Sequence, residues 1–364
     1  MTDLDRRDFL KAVSATAIAG TIAGCATTPR STVEFDDIPR ISLTTLPTAC
    51  NRMDNVTRLA GGPDLYIKRD DVMELAHGGN KTRKLEYALA EALNEGASAV
   101  VTQGGLQSNH VRQTVSGAAK VGLEAHVVLS NPVPEMAAEL TGSGNYLMDR
   151  IMGAHIYLAE DGRGPVVEKV MADLTAAGKR PYNIPAGASN GIGSIGYMNA
   201  ARELIGQWAD MGIRPSHIFT ATGSCGTQAG LLMGLRYFGN TTTQVVGVSV
   251  SGPQDRLVAR NRAVLDMICD RTGIAKDFIA DDDIVVTDAY LGEGYGRPTE
   301  MGIAAIRLVG GNEGVILDPV YTGKAMSAML DMVKTGQLDN ARDVVFLHTG
   351  GAPAIHPYAE YFLG

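Results

Sequence analysis

The stretch AVVTQGGLQSNHVRQTVSGAAKV, residues 99–121, contains the structural unit that decides the fold. It begins with a short apolar run typical of a β-strand, turns at Gly104 and Gly105, and continues from Asn109 with apolar residues at helical spacing. Outward from this stretch, short apolar runs alternate with helical periods from Leu65 to the C-terminus. Such alternation is typical of parallel strands joined by crossover helices. We therefore predict an α/β protein with open, twisted, mostly parallel sheets.

The alternation assigns most of the chain to strands and helices. We predict strands at 65–68, 99–102, 125–129, 155–158, 217–220, 245–250, 284–286 and 344–347. We predict helices at 84–94, 109–121, 195–211, 228–237, 256–271 and 323–334. No linker marks a domain boundary, as is expected when two α/β domains are interleaved along one chain.

Composition and charge exclude some classes of function. The chain has 364 residues and 45% hydrophobic content, which is enough to bury the cores of two domains. Its formal net charge is -8, and it has no long run of basic residues. Binding to a phosphate backbone depends on clustered cations. We therefore predict no nucleic-acid partner.

Residues 1–30 have the composition of an export signal. Arg6 and Arg7 precede the small apolar run 12–24, which is the twin-arginine form, and residues 22–25 (IAGC) resemble a bacterial lipobox with Cys25 as the acylated residue. The apolar run is too short to cross a bilayer core of about 30 Å. We predict export by the twin-arginine machinery, a lipid anchor through Cys25 and a periplasmic location in the cell envelope. A disordered tail with a chance cysteine is the alternative.

The other cysteines are Cys50, Cys225 and Cys269. They form no Cys-x-x-Cys pair and have no histidine at metal-ligand spacing, so we predict no metal site. One disulfide among them stays open for an exported protein. Buried free thiols are the simpler expectation.

The run GGNKTRK, residues 78–84, places Lys81 between a glycine turn and a helix. An amine at this point reaches a carbonyl carbon from a fixed position, and the turn leaves room for a flat cofactor. Lys81 is therefore a candidate for covalent cofactor attachment as a Schiff base. The alternative is an ordinary solvated lysine in a first helical turn.

The run ATGSCGTQAG, residues 221–230, follows a predicted strand and opens a helix. Its glycines let the backbone approach an anion, and a helix N-terminus adds about half a positive charge. The spacing matches neither the Walker P-loop nor the dinucleotide-binding GxGxxG order. We predict a site for a small monophosphate, with a plain strand-to-helix turn as the alternative.

Other polar turns adjoin the predicted strands. Gln107, Ser108 and Asn109 follow the glycines of the 99–121 stretch, where they could cap the helix or hold a carboxylate at its N-terminus. Further turns rich in glycine and hydroxyl groups lie at 187–194, 293–296, 318–324 and 347–351. Loops of this kind gather at the active-site edge of α/β folds.

The motifs GGNKTRK (78–84), QSNH (107–110), TGSCGT (222–227), DPVYTGKAM (318–326) and HTGG (348–351) occur in the order found in pyridoxal-phosphate enzymes of the tryptophan-synthase-β type. From about residue 38 onward the chain resembles the D-cysteine desulfhydrase and 1-aminocyclopropane-1-carboxylate deaminase family. The resemblance implies two interleaved, mostly parallel sheet domains of pyridoxal-phosphate fold type II. We place the large cofactor-binding domain at 31–81 plus 195–364 and the small domain at 82–194.

The resemblance also implies a role for each matched position. Lys81 would carry the cofactor and move the Cα proton, and the catalytic set would be Lys81, Ser108, Tyr295 and Tyr321. The residues that would bind pyridoxal 5'-phosphate are Lys81, Lys84, Asn109, Thr222, Gly223, Ser224, Cys225, Gly226, Thr227 and Thr349. The residues that would contact the substrate are Gln107, Ser108, Asn109, Tyr295 and Tyr321, with the carboxylate on Gln107 and Ser108. Asn109 would bind the ring hydroxyl, Lys84 would assist at the phosphate, and Thr322 and Thr349 would lie near the pyridine nitrogen.

The implied activity is that of a lyase: α,β-elimination on a small amino acid, with D-cysteine giving pyruvate, ammonia and sulfide. Cyclopropane deaminases have a glutamate where this chain has Thr322, and a neutral hydroxyl near the ring nitrogen favours loss of a β leaving group over ring opening. The alternatives are 1-aminocyclopropane-1-carboxylate deamination, elimination from L-cysteate, or action on D-serine or β-chloroalanine. A catalytically silent envelope lipoprotein that binds amino acids or the cofactor is an alternative of another class. We expect a homodimer.

Overall fold

Two sheets carry the described part of the chain, which is residues 35–363 of the computed structural model. The strands are Cys50–Arg52 (β1), Asp64–Arg69 (β2), Ala99–Gly105 (β3), Glu124–Ser130 (β4), His155–Leu158 (β5), Pro181–Asn183 (β6), His217–Thr222 (β7), Gln244–Ser249 (β8), Val285–Thr287 (β9) and Asp343–His348 (β10). The larger sheet has the order β1-β2-β10-β7-β8-β9, and the smaller has the order β5-β4-β3-β6. The pair β1 and β2 is antiparallel, and the other pairs of described strands are parallel.

Helices cover both faces of the larger sheet. The helices are Asp54–Ala60 (α1), Lys81–Asn94 (α2), Asn109–Lys120 (α3), Ala137–Gly142 (α4), Gly144–Ile151 (α5), Arg163–Ala176 (α6), Gly191–Met211 (α7), Gly226–Tyr237 (α8), Gln254–Thr272 (α9), Glu300–Glu313 (α10), Thr322–Lys334 (α11) and Glu360–Leu363 (α12). Along β10, Val345 and Leu347 pack in one core with α7, α8 and α9, while Val344 and Phe346 pack in another with α10 and α11. Continuous apolar strands of this kind are typical of parallel sheets buried on both faces.

The predicted α/β fold is confirmed, and each predicted strand and helix is present with its ends moved by a few residues. Two strands were missed, because β1 has only the three residues Cys50–Arg52 and β6 begins with a proline, which cannot donate to the sheet. The missed helices include α6, whose first turn contains Gly164 and Pro165 and so hides the helix start.

The strands divide between the sheets along the chain as interleaved domains would require. All strands of the smaller sheet lie between residues 99 and 183, and the larger sheet is built from segments on both sides of that span. The exact domain boundaries stay a prediction. Cys50, Cys225 and Cys269 are buried and free, as predicted. Cys25 and the rest of the predicted signal lie outside the described residues. Within 35–363, no helix combines the length and apolar character needed to cross a membrane.

Candidate active site

A cavity of about 540 Å³ opens at the carboxyl ends of strands from both sheets. Its wall contains the end of β3, the end of β7 and the residues after β8, together with the first residues of α2, α3 and α6 and part of α9. The volume is typical of small-molecule sites. The carboxyl edge of parallel strands is where α/β folds bind their ligands.

The backbone before Lys81 explains why this run is rich in glycine. Residues 76–79 all have positive φ angles. A Cβ atom on Gly78 would lie 1.9 Å from a neighbouring carbonyl oxygen, so only glycine fits there. The amide nitrogen of Asn80 then donates to the carbonyl oxygen of Thr349 at 3.0 Å. Lys81 therefore begins α2 from a fixed position.

The ε-amino group of Lys81 is free for chemistry. Lys81 lines the cavity, and its Nζ forms no hydrogen bond with any residue in the range 35–363. Burial lowers the pKa of Lys81 to about 8, and the charge of Cys225 opposes this shift only in part. A lysine with this pKa is largely a neutral amine at mildly alkaline pH, which makes it a competent nucleophile.

The turn between β7 and α8 has the geometry of an anion site. Cys225 adopts a left-handed conformation with φ 69°, and its own side chain does not cap α8, although the hydroxyl of Ser189 accepts from the amide nitrogen of Gly226. Uncapped amides at a helix N-terminus attract phosphate groups. Arg260 donates to the carbonyl oxygen of Gly223 at 2.7 Å and so brings a positive charge to this turn. Of the residues predicted to bind the phosphate in this turn, Thr222, Gly223, Ser224, Cys225 and Thr227 line the cavity and Gly226 does not, and the phosphate site stays a prediction.

Lys84 lies behind this turn and does not line the cavity. Its Nζ donates to the carbonyl oxygen of Gly187 at 2.6 Å and to the hydroxyl of Ser189 at 2.8 Å. The Ser189 hydroxyl in turn accepts from the amide nitrogen of Gly226 at 3.2 Å. Burial lowers the pKa of Lys84 well below its usual value. Lys84 is thus connected to the turn before α8 through Ser189, and its assistance at a phosphate stays a prediction.

At the start of α3, Ser108 and Asn109 line the cavity but Gln107 does not. Ser108 caps the helix, because its hydroxyl accepts from the amide nitrogen of Val111 at 3.3 Å. The Gln107 side chain is fully engaged elsewhere. Its partners are the carbonyl oxygens of Leu140 (2.6 Å) and Ser143 (2.9 Å) and the amide nitrogen of Asn145 (2.8 Å). The Gln107 side chain is therefore not available to a substrate carboxylate in this arrangement, and the predicted contact of Gln107 with the carboxylate stays a prediction.

Two tyrosines lie against the end of β3. A Cβ atom on Gly105 would lie 3.3 Å from the ring of Tyr295, so the glycine leaves room for this side chain. The hydroxyl groups of Tyr295 and Tyr321 are hydrogen-bonded to each other, and both residues line the cavity. Burial raises the pKa of both tyrosines. Both hydroxyls are therefore neutral at physiological pH and can donate as well as accept hydrogen bonds.

The two threonines predicted near a pyridine nitrogen have different positions. Thr349 lines the cavity. Thr322 is fully buried outside it, where its hydroxyl donates to the carboxylate of Asp318 at 2.7 Å and accepts from the amide nitrogen of Asp318 at 2.7 Å. The contact of Thr322 with a pyridine nitrogen, and the electronic argument against ring opening that depends on it, therefore stay predictions.

Arginines that the sequence did not single out add positive charge to the cavity. Arg163 begins α6 and Arg256 and Arg260 lie on α9, and all three line the cavity, whereas no aspartate or glutamate among residues 35–363 does. Arg163 is close enough to Tyr295 to oppose the rise of its pKa. In a sequence, single arginines on surface helices resemble solvated residues. The segment 187–194, which did carry a sequence signal, contributes Gly187 and Ser189 to the wall.

A possible metal-ligand cluster lies away from this cavity. Side-chain ligand atoms of Glu124, His126 and His155 come within 4.8 Å of one another. The two imidazole rings stack with their centroids 4.4 Å apart and their planes inclined by 12°. Nearly parallel stacked rings cannot both direct a nitrogen lone pair at one ion, and Lys179 already pairs with the carboxylate of Glu124. This geometry argues against metal coordination without rearrangement of the side chains.

The groups around the cavity fit a phosphorylated aldehyde cofactor. Lys81 offers a free amine, and the turn before α8 offers an anion seat. Thr222 and Ser251 line the cavity, and their hydroxyls are buried without a hydrogen-bond partner among the described residues. Buried polar atoms are normally paired, so these two hydroxyls indicate the place of a polar ligand.

Comparisons with known proteins agree with this geometry. A family model described as "Pyridoxal-phosphate dependent enzyme" matches residues 41–350. A D-cysteine desulfhydrase of Klebsiella pneumoniae (strain 342) is 38% identical over 328 residues, which cover 88% of this chain and 96% of that protein. A D-cysteine desulfhydrase of Serratia proteamaculans (strain 568) is 39% identical over 330 residues, with the same coverage of 88% and 96%.

Solved structures show the same fold. The crystal structure of an "ACC deaminase homologue" superposes with a TM-score of 0.81 at 34% identity and covers 90% of this chain and 96% of that one. The diaminopropionate ammonia lyase of Escherichia coli superposes with a TM-score of 0.64 at 14% identity, covering 88% of this chain and 87% of that one. At that identity the second likeness concerns the fold alone.

Proposed function

Since the chain belongs to the pyridoxal-phosphate-dependent enzyme family, we propose that it is a carbon–sulfur lyase that acts on D-cysteine. Its D-cysteine desulfhydrase relatives and the family model support this choice. The observation that carries the proposal is the position of Lys81. Its amine, with a pKa of about 8, has no partner in the described part of the chain and faces a cavity that no carboxylate of that part lines, between the α8 start and the polar start of α3.

Each of the side chains around the cavity has its own role in the proposed reaction. When bound, pyridoxal phosphate supplies an aldehyde for the substrate amine and a conjugated ring that stabilises negative charge at Cα. Lys81 holds the cofactor and, once its amine is released, takes the Cα proton. Ser108 and the first amides of α3 bind the substrate carboxylate. Tyr295 and Tyr321 give a proton to the departing sulfide. Overall, D-cysteine and water become pyruvate, ammonia and hydrogen sulfide.

A second candidate substrate is L-cysteate, and Arg163 favours it. The Arg163 guanidinium lines the cavity near Tyr295 and forms no hydrogen bond or ion pair with other residues of the described range. A sulfonate on the β carbon would be a suitable partner for this charge. Deamination of 1-aminocyclopropane-1-carboxylate stays a further candidate, because the structure at TM-score 0.81 is called an ACC deaminase homologue.

A substrate panel tests the proposal. The purified protein, loaded with pyridoxal phosphate, is given D-cysteine, L-cysteine, L-cysteate, D-serine or 1-aminocyclopropane-1-carboxylate, and keto acid is measured. We expect the highest kcat/KM with D-cysteine, together with one sulfide for each pyruvate. Preference for L-cysteate that disappears in Arg163→Gln would instead select the second candidate. Absence of keto acid from every substrate, with the cofactor bound, would leave a catalytically silent binding protein.

We also propose that residues 1–30 direct export and that Cys25 carries the lipid anchor. The support is the sequence pattern of Arg6, Arg7 and residues 22–25. In cells, the full-length chain should fractionate with envelope membranes. The double substitution Arg6→Lys, Arg7→Lys should retain it in the cytoplasm, and Cys25→Ser should release it from membranes after export. An unchanged distribution of both variants would refute this assignment.

The proposed assembly is a homodimer, which is the commonest symmetric state of soluble oligomers. Light scattering of the chain from residue 32 onward should give twice the monomer mass. A monomer mass across the working concentration range would contradict it.

A further inference from the structure

Asn145, the second residue of α5, forms hydrogen bonds with residues at the start of α3. It is fully buried. Its Nδ2 donates to the side-chain oxygen of Asn109 at 2.8 Å and to the backbone carbonyl oxygen of Gln107 at 2.9 Å. Its amide nitrogen donates to the side-chain oxygen of Gln107 at 2.8 Å. One asparagine thus fixes the two polar positions on either side of Ser108.

These contacts determine which way the Asn109 amide faces. The backbone carbonyl of Gln107 can only accept, so the Asn145 atom facing it must be the NH₂ group. The Asn109 atom facing that NH₂ group must then be its oxygen. Asn109 lines the cavity, and its own NH₂ group forms no hydrogen bond with the rest of the chain between residues 35 and 363. The NH₂ group is therefore the end left for a ligand.

We propose that Asn145 is a positioning residue that locks Asn109 as a hydrogen-bond donor toward the ring oxygen of the cofactor. The inference rests on the predicted contact of Asn109 with that oxygen. An unrestrained amide can rotate and present either its NH₂ group or its oxygen. Only the NH₂ group stabilises a deprotonated ring oxygen. Asn145 therefore acts on the cofactor without contacting it.

Removal of the donor gives a direct test. For Asn145→Ala, we expect the dissociation constant of pyridoxal phosphate to rise on the order of fivefold to tenfold. The pH at which the visible band of the bound cofactor titrates should move up by about half a unit to one unit, because protonation of the ring oxygen becomes easier. Binding of 3-O-methylpyridoxal phosphate, which lacks the anionic oxygen, should change less than twofold. Equal losses for both compounds would overturn the proposal.

A double-mutant cycle separates positioning from general loosening of α5. If Asn145 acts through Asn109, then Asn145→Ala should change cofactor affinity and the spectral titration by less than twofold in an Asn109→Ala background. Additive effects would contradict the proposal. The matched control is Asp149→Asn, one turn along α5, whose carboxylate has no hydrogen bond to the described residues. It should leave both readouts at wild-type values.

A second variant and a wild-type control complete the test. If the alanine variant does not fold, Asn145→Asp preserves the shape, and a carboxyl group has at most one proton where the amide has two. This variant cannot donate to both Asn109 and Gln107, so the same shifts are expected. A wild-type protein that never develops the visible band would refute the proposed site as a whole. A wild-type band with unchanged Asn145 variants would refute only the role of Asn145.

Discussion

Two strand-to-helix turns face the same cavity, and they differ in which of their polar groups are already hydrogen-bonded. We call residues 104–109 the α3 turn and residues 222–226 the α8 turn. In the α3 turn the polar side chains are already tied down, by a helix cap at Ser108 and by Asn145 at both neighbouring positions. In the α8 turn the side chain of Cys225 does not cap the helix, only the amide of Gly226 is bonded to a side chain of the described residues, that of Ser189, and the Thr222 hydroxyl is buried and unpaired among them. The α8 turn therefore offers mainly backbone amides to a ligand, whereas the α3 turn offers side chains that are already fixed.

Lys81 lies between the two turns, so its removal has the largest expected effect. Lys81→Ala should reduce keto-acid formation by at least about 10³-fold, since both the covalent link and the proton carrier are lost. The visible band of the lysine-bound cofactor should be absent. The α8 turn is intact in this variant, so pyridoxal phosphate should still bind noncovalently. An unchanged yellow spectrum, resistant to dialysis, would show that another amine holds the cofactor.

The part of the α8 turn in phosphate binding can be tested by adding a side chain at Gly226. A Cβ atom on Gly226 would lie 2.5 Å from Nζ of Lys84 and 2.6 Å from the hydroxyl of Ser189. Gly226→Ala must displace both groups, so we expect the dissociation constants of pyridoxal phosphate and of inorganic phosphate to rise about 10- to 100-fold, the cost of roughly two hydrogen bonds. Equilibrium dialysis of the apo protein measures both constants.

A matched glycine provides the control for this substitution. Gly206 lies on the exposed side of α7, and a Cβ atom there would meet nothing within 4 Å. Gly206→Ala should leave cofactor affinity unchanged and stabilise the fold by about 0.5–1 kcal/mol. Equal losses of affinity in both variants would show that the α8 turn has no special part in binding.

The contrast between the turns also marks the limit of what the sequence could predict. Glycine turns, helix starts and strand runs are local patterns, so the α/β fold and the positions of Lys81 and the α8 turn followed from sequence alone. The sequence could not show the side-chain partners of Gln107 and Thr322, because packing brings those partners together, at α5 for the first and at Asp318 for the second. Arg163 gave no signal, since only the fold of the smaller sheet brings it to the cavity.

The pH dependence of cofactor attachment tests the environment of Lys81. Its pKa is lowered to about 8 by burial, so the neutral amine becomes predominant above that pH. The initial rate of visible-band formation from apo protein and pyridoxal phosphate should rise about tenfold per pH unit below 8 and level off above it. The reference is Nα-acetyl-lysine amide in the same buffers, whose rate should keep rising toward pH 10. If the rate for the protein also keeps rising toward pH 10, Lys81 is solvated and its pKa is not lowered.

The smallest expected effect comes from making the same substitution in both turns. Ser108→Ala removes the cap of α3 and should lower the free energy of unfolding by about 1 kcal/mol. Ser224→Ala removes only a hydroxyl that accepts from Ser189 at a partly exposed position, so its effect should stay within about 0.5 kcal/mol. Urea unfolding of the apo protein measures both values, provided the m-value does not change. Because Ser224 bonds to Ser189 and does not cap α8, the two substitutions should differ in their effect on stability even though both serines line the cavity. Equal destabilisation would mean that the α8 turn is also held by its side chains, and its amides would then be less free for phosphate.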